Sequence, residues 1–298
     1  MYNFIRVSSL IILIFLGLIF CSTDTKQPVT VLSDSTYHPM PMPAAISFAG
    51  EAAPINYFDV RENLDRELQV MSFFHSQSLM YLKKSTRYLP EIEKILKEQG
   101  VPDDFKYMPL IESALSNAIS PAGAVGFWQI IKDTGIELGM EINEEIDERY
   151  DYRKSTLAAC KFLKESYTKY GSWTVAAASY NMGRKRLTDA IGKQQASNFY
   201  DLWLNDETTR YIYRLLATKY FLENPGLFGA DLKKEDYYPA IQTRSITVDT
   251  IVTSWSDFAA KNQTNYRMLK YFNPWIRSYS LKNPSRKTYK LEIPLTRE

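Results

Sequence analysis

The sequence is poor in the residues that disulfide, metal or polyanion chemistry would need. It has two cysteines in 298 residues, and Cys21 falls in an N-terminal leader, so no disulfide framework is available. Cys160, amid Leu157, Ala159 and Leu163, reads as a small buried hydrophobe. Only two histidines are present, His38 and His75, and their separation is not that of zinc ligands; no metal and no cofactor are expected. A formal net charge of +2 lacks the basic excess of a nucleic-acid-binding chain. The apolar run at residues 10–20 is too short for a comfortable membrane span.

What the chain does have is apolar and aromatic mass. Its hydrophobic content of 45% supports a real core in one large domain or two. Aromatic content of 14%, with 21 tyrosines, is high. Most of these rings belong in the core, and a few along a groove would suit carbohydrate.

Arg6 followed by the apolar run reads as a signal peptide over residues 1–21. Leu18-Ile19-Phe20-Cys21 has the form of a lipoprotein processing box, with Phe20 where a small residue is usual. Two outcomes stay open: a lipid anchor on Cys21, or ordinary cleavage just after it. Both export the protein from a bacterial cytoplasm, to the periplasm or to the outer membrane as a lipoprotein. Residues 22–57, rich in Ser, Thr, Pro and Ala, read as an extended linker.

Leu64, Leu68, Met71 and Phe74 recur at helical spacing and predict a helix over residues 60–84. Pro90 is expected to open a second helix, with Ile92, Ile95 and Leu96 inward and Gly100 as its stop. Residues 153–170 predict an amphipathic helix with Leu157, Cys160, Leu163 and Tyr167 on its inner face. Residues 173–180 are small and apolar, as a fully packed central helix would be. A shorter helix over 184–191 and a closing one over 207–222 follow, and no strand-rich run interrupts them.

The stretch from residue 108 to 130 carries the chemistry. Pro109 suits a first helical position, Leu110, Ile111 and Leu115 give an apolar side, and Ser116, Asn117 and Pro121 end the run. Glu112 therefore sits near the C-terminal end of a short helix. The partial negative charge of that end and the apolar neighbours both push a carboxyl pKa upward, as a general acid at neutral pH requires. A turn of small residues follows, in which Gly123 and Gly126 allow close backbone approach. Phe127-Trp128-Gln129 then offers groups that can stack on and hydrogen-bond a sugar. Further on, Ser179-Tyr180-Asn181 ends a helix, with Gly183 as stop.

The set Glu112-Ser113, Gly126-Phe127-Trp128-Gln129 and Ser179-Tyr180-Asn181-x-Gly183 resembles the lytic murein transglycosylases of the goose-type-lysozyme-like superfamily. Phe127 and Ser179 are mild departures from that pattern. The resemblance implies a mainly α fold with a lysozyme-like helical catalytic domain over residues 58–230. It also implies action on peptidoglycan glycan strands. Glu112 would be the one catalytic carboxyl, acid and then base, with Ser113, Gln129, Tyr180 and Asn181 holding substrate. The muramic acid's own hydroxymethyl oxygen would attack, giving 1,6-anhydromuramic acid. A hydrolytic lysozyme and a catalytically silent wall-binding scaffold are the alternatives. The acids of Asp147-Glu148-Arg149-Tyr150-Asp151 read either as a second catalytic carboxylate or, preferably, as a helix cap at Asp151 and an ion pair to Arg149.

Residues 231–298 change character. Alternation near Ile246 and Val248 and again near Leu291 and Ile293 brackets helical spacing at Trp255, Phe258, Tyr266 and Leu269. This strand-helix-helix-strand order resembles a LysM module, with Val248-Asp249-Thr250 in place of the usual Gly-Asp-Thr. A glycan-binding module and a small α+β cap without ligand both stay open.

Overall fold

Apolar residues at helical spacing build most of this chain. The computed structural model describes residues 39–296, which contain ten α-helices and four short strands. The first long helices are α1 (Phe58–Phe73) and α2 (His75–Glu98), followed by the six-residue α3 (Met108–Ser113) and α4 (Lys132–Glu137). Then come α5 (Tyr152–Tyr170), α6 (Trp173–Met182), α7 (Arg184–Gln194) and α8 (Asp206–Glu223). Helix α6 is central: it packs on α5 and α8, while α1 lies along α8 and α2 along α5. Thr174 to Ser179 are buried without interruption, which is why the sequence there is small and lacks a polar face.

Three expectations about this helical body are corrected. The helix over 60–84 is broken at Phe74 (φ −87°, ψ 50°), where α1 ends and α2 begins. Pro90 does not open a helix but lies inside α2. Near it, the amide of Tyr238 donates to the Lys83 carbonyl and the Thr86 hydroxyl donates to the Tyr238 carbonyl. A neighbouring segment thus bonds the turn of α2 that precedes Pro90, whose own missing N–H leaves the Thr86 carbonyl without its helical donor. The inner face of α5 is also rotated. Thr156, Ala159, Cys160, Leu163 and Ser166 are buried, whereas Leu157 and Tyr167 are exposed. Small and hydroxyl residues, invisible to an apolar-period argument, carry the contact with α6.

The linker reading of residues 22–57 is corrected from Pro39 onward. Ser47–Phe48 (β1) and Glu51–Ala52 (β2) form a hairpin, turned by Ala49 (φ 53°) and Gly50 (φ 83°), both left-handed. Phe48 is fully buried against Phe105, ring centroids 5.1 Å apart. The Glu51 carboxylate accepts from the Trp173 and Thr174 amides at 2.6 and 2.9 Å and from the Ser172 hydroxyl at 2.8 Å. A carboxylate at the positive end of α6 is electrostatically favoured, so this segment docks despite its linker-like composition. The proposed leader, Cys21 and residues 22–38 lie outside the described residues.

The C-terminal part has the expected strand-helix-helix-strand order: β3 (Thr243–Val248), α9 (Trp255–Lys261), α10 (Tyr266–Phe272) and β4 (Tyr289–Pro294). The strands pair antiparallel, from Thr243 opposite Pro294 to Val248 opposite Tyr289. Trp255, Leu269, Leu291 and Ile293 form its core, which also takes in Val125, Ile146 and Tyr150 of the helical body. No helix among the described residues is long and apolar enough to cross a membrane.

Candidate active site

Short helix α3 is the platform of the site. Pro109 occupies its first turn, and its C-cap Ala114 is left-handed (φ 52°), as is Leu115 (φ 51°). The chain therefore turns sharply directly after Glu112-Ser113. Lys84 of α2 secures that turn, its Nζ donating to the Ala114 carbonyl at 2.8 Å. Met108, Leu110 and Leu115 are buried beneath. Glu112 is half-buried and faces an open groove of about 410 Å³, walled by Phe74, Gln77, Met80 and Lys84 of the α1–α2 region and by Ser113 and Ala114.

One polar contact holds the carboxyl. The Tyr211 hydroxyl, on α8, donates to Glu112 Oε1 at 2.6 Å. Burial raises the Glu112 pKa to about 7; the Tyr211 hydrogen bond opposes it, the Glu207 charge adds to it and the Arg214 charge opposes it. A six-residue helix has little macrodipole to add, so desolvation, not the helix end, dominates. Burial, with the Glu112 charge beside it, holds the Tyr211 phenol well above its ordinary range. Tyr211 therefore stays a donor while Glu112 gains or loses its proton.

Of the other expected site residues only Ser113 lines this groove; Gln129, Tyr180 and Asn181 do not, and most of their polar atoms are engaged by the protein itself. The Ser113 hydroxyl donates to the Phe127 carbonyl at 2.9 Å and accepts from the Ser116 amide, tying α3 to the 123–130 turn. Tyr180 donates to the Trp128 carbonyl at 2.7 Å. Asn181 Oδ1 accepts from the Thr208 hydroxyl and its Nδ2 donates to Glu207, so it fastens α6 to α8. Gln129 is left-handed (φ 48°), and its Nε2 donates to the Gly126 and Ala118 carbonyls, leaving Oε1 without a protein partner. Phe127 and Trp128, expected to offer sugar-stacking faces, are buried. Trp128 Nε1 donates to Thr156, and Phe127 packs between Tyr88 and Tyr152.

Gly126 explains why this turn has its composition. At φ +81°, a Cβ there would lie 2.0 Å from the Arg149 carbonyl oxygen. Arg149 is buried, pairs with Asp147 at 2.7 Å, and donates to the Gly123 and Ile130 carbonyls. Asp151 caps α5 through the Arg153 and Lys154 amides. Glu148 pairs with Lys154 at 2.5 Å. The acids of this segment thus act as cap and ion pairs, and none of them lines the groove. Among the described residues, no group of His, Cys, Asp and Glu is arranged to hold a metal ion.

Sequence reasoning missed Tyr211, Lys84 and the α1–α2 wall. Tyr211 had a usable signal: a phenol on the buried face of α8 needs an acceptor for its hydroxyl. A separate cavity of about 300 Å³ between the helical body and the C-terminal part is lined by Tyr88, Glu91, Arg153, Ile241, Tyr271 and Glu292 among others, and does not include Glu112.

Residues 90–202 match the family described as the transglycosylase SLT domain. Residues 244–297 match the soluble lytic transglycosylase C-terminal LysM-like domain. The chain is 28% identical over 228 residues to membrane-bound lytic murein transglycosylase D of Escherichia coli K12, covering 74% of this chain and 49% of that protein. The same figures hold for the protein of that name from Escherichia coli O6:H1. The chain thus spans about half the length of the curated relatives it matches. Among solved structures, the 70 kDa soluble lytic transglycosylase of Escherichia coli aligns over 59% of this chain and 33% of its own, at 16% identity and TM-score 0.42. An inactive mutant of lytic transglycosylase Slt from Pseudomonas aeruginosa aligns over 51% of this chain and 26% of its own, at 19% identity and TM-score 0.39.

Proposed function

We propose that this chain, which carries a transglycosylase SLT domain followed by a LysM-like domain, is a peptidoglycan lytic transglycosylase. It would cleave the β-1,4 bond between N-acetylmuramic acid and N-acetylglucosamine. The observation that carries this reading is Glu112: a carboxyl facing a groove, held by a tyrosine hydroxyl, with its pKa raised to about 7. Such a group both gives and takes a proton near neutrality.

Glu112 protonates the departing glycosidic oxygen. It then accepts the proton of the muramoyl C6 hydroxyl as that oxygen bonds to the anomeric carbon. The nucleophile belongs to the same sugar, so proximity replaces both water and a second carboxylate. An ordinary retaining glycosidase would place a nucleophilic acid about 5 Å from the first. Asp147, Glu148 and Asp151, the acids weighed as a second carboxylate, are engaged as cap and ion pairs, which favours the single-acid route. Tyr211 steers the carboxyl. Ser113, Tyr180 and Asn181 act by fixing the walls, and Gln129 Oε1 is the polar atom of the set best able to meet the sugar.

The LysM-like domain is read as a peptidoglycan contact, and the envelope as the site of action. Export through the leader, with either cleavage or lipidation at Cys21, completes this reading. Digestion of purified sacculi with mass analysis tests it. Release of 1,6-anhydromuropeptides is expected. Products heavier by one water would indicate a lysozyme. Binding to sacculi with no release, unchanged in Glu112→Gln, would indicate a silent scaffold.

A further inference from the structure

The C-terminal part is joined to the helical body by backbone hydrogen bonds as well as by side-chain packing. Its segment from Trp275 to Arg277 runs antiparallel to residues 145–147, with Ile276 bridged to Ile146. The Asp147 amide donates to the Trp275 carbonyl at 2.8 Å, and the Arg277 amide donates to the Glu145 carbonyl at 2.7 Å. The Glu145 carboxylate accepts from the Lys282 amide, and Glu141 pairs with Lys287 at 2.5 Å. Ile146 and Ile276 are 1% and 0% exposed. Pulling the two segments apart would therefore expose apolar surface and leave backbone donors and acceptors unpaired.

The same 145–147 segment supports the turn that carries the site. Asp147 accepts from Arg149 Nε at 3.0 Å and from a terminal guanidinium nitrogen at 2.7 Å. Arg149, oriented in this way, donates to the Gly123 and Ile130 carbonyls, both at 3.2 Å. Val125 exchanges backbone hydrogen bonds with Ile130, and its side chain is buried in the core of the C-terminal part, not in that of the helical body. This turn carries Gln129. It also supplies the Phe127 carbonyl that holds Ser113 and the Trp128 carbonyl that holds Tyr180. A continuous chain of bonds thus runs from the Trp275–Arg277 segment to the residue after Glu112.

We propose that the C-terminal part positions the active-site turn, so that the Trp275–Arg277 segment sets the rate of turnover at Glu112 in addition to any peptidoglycan contact the domain makes. The inference rests on the transglycosylase reading. Ile276 does not line the groove; it acts through Ile146 and Arg149 and is a positioning residue. A domain that only recruits polymer changes how much enzyme sits on the wall, which appears in KM. A brace changes the rate once substrate is bound, which appears in kcat.

Ile276→Ala in the full chain separates the two. It is expected to lower kcat for anhydromuropeptide release by about tenfold, as a slightly misplaced site does, while the amount of protein that pellets with sacculi stays the same. Ile276→Val, which keeps the branched side chain at the bridge, should recover most of the loss. A raised KM with kcat at the wild-type value, or weaker pelleting alone, overturns the proposal. If Ile276→Ala fails to fold, native-state amide exchange of the wild type decides. The amides of Val125, Gly126 and Ile130 should lose protection in the same step as those of Asp147 and Arg277. Protection of the turn that outlasts that of Arg277 overturns the proposal. A wild type that releases no anhydro products would instead refute the transglycosylase reading, and the exchange experiment then judges the brace by itself.

Discussion

Replacing Tyr211 by phenylalanine isolates the contact that holds Glu112. The phenol donates to Oε1 at 2.6 Å, which favours the charged carboxylate and opposes the burial that lifts the pKa to about 7. A hydrogen bond to a charged group contributes roughly 1.5–3 kcal/mol, and the neutral acid keeps a bond of roughly 0.5–1.5 kcal/mol. The difference, about 1–2 kcal/mol, corresponds to about 1 pH unit. Removal of the donor raises the Glu112 pKa, and bond cleavage requires the protonated acid. The alkaline limb of kcat/KM should therefore move upward by about 1 pH unit in Tyr211→Phe. The assay is the initial rate of muropeptide release from sacculi across the neutral range. A limb that stays in place, or moves to lower pH, would refute the assigned role of Tyr211.

Glu112→Gln should raise stability as it removes activity. The folded pKa lies above the ordinary carboxyl value, so the neutral acid's contribution is complete below that ordinary value and is lost as pH rises through about 7. At mildly alkaline pH the variant should gain roughly 3 kcal/mol over wild type and at acid pH almost nothing; equal gains in urea melts at both would contradict this. Glu51→Ala should cost about 2–3 kcal/mol by freeing the Ser172, Trp173 and Thr174 donors. Burial pushes the Glu51 pKa up, but the bonds from Thr174, Ser172 and Trp173 win and hold it below the usual value. Its contribution should thus fade as pH falls through that lowered pKa, a slope absent from the variant and measurable by denaturation at several pH values. Gly126→Ala should destabilise by roughly 3 kcal/mol, because a left-handed backbone must take a Cβ that would meet the Arg149 carbonyl at 2.0 Å; an unchanged denaturation midpoint would show that the turn can move away.

The helical body and the strand-helix-helix-strand C-terminal part were legible in the sequence because burial there follows apolar period. Ile92, Ile95 and Leu96 on α2 and Leu291 and Ile293 on β4 are buried as their spacing implies. What period does not encode was misread. Pro90 is carried inside α2, a helix of 24 residues whose Leu89, Ile92 and Leu96 are buried on either side of it. Phe48 is buried by a hairpin too short to alternate, and α5 buries Thr156 and Ser166, the latter bonded to Ser179 of α6, rather than Leu157. At the site, the apolar setting of Glu112 and the sharp turn after it are legible in the sequence. Tyr211 was missed because its partner lies on an element distant in sequence. The sugar-stacking role expected of Trp128 fails because its indole N–H finds Thr156 inside the core.

The claim on which the rest depends is that Glu112 is a neutral acid over much of the working pH range. Selective carbon-13 labelling of glutamate side chains, with Glu112→Gln to assign the signal, measures it directly by NMR titration. The account predicts a carboxyl resonance that titrates near pH 7 and is absent from the variant. A Glu112 signal that titrates in the ordinary carboxylate range, near 4.3, would contradict it.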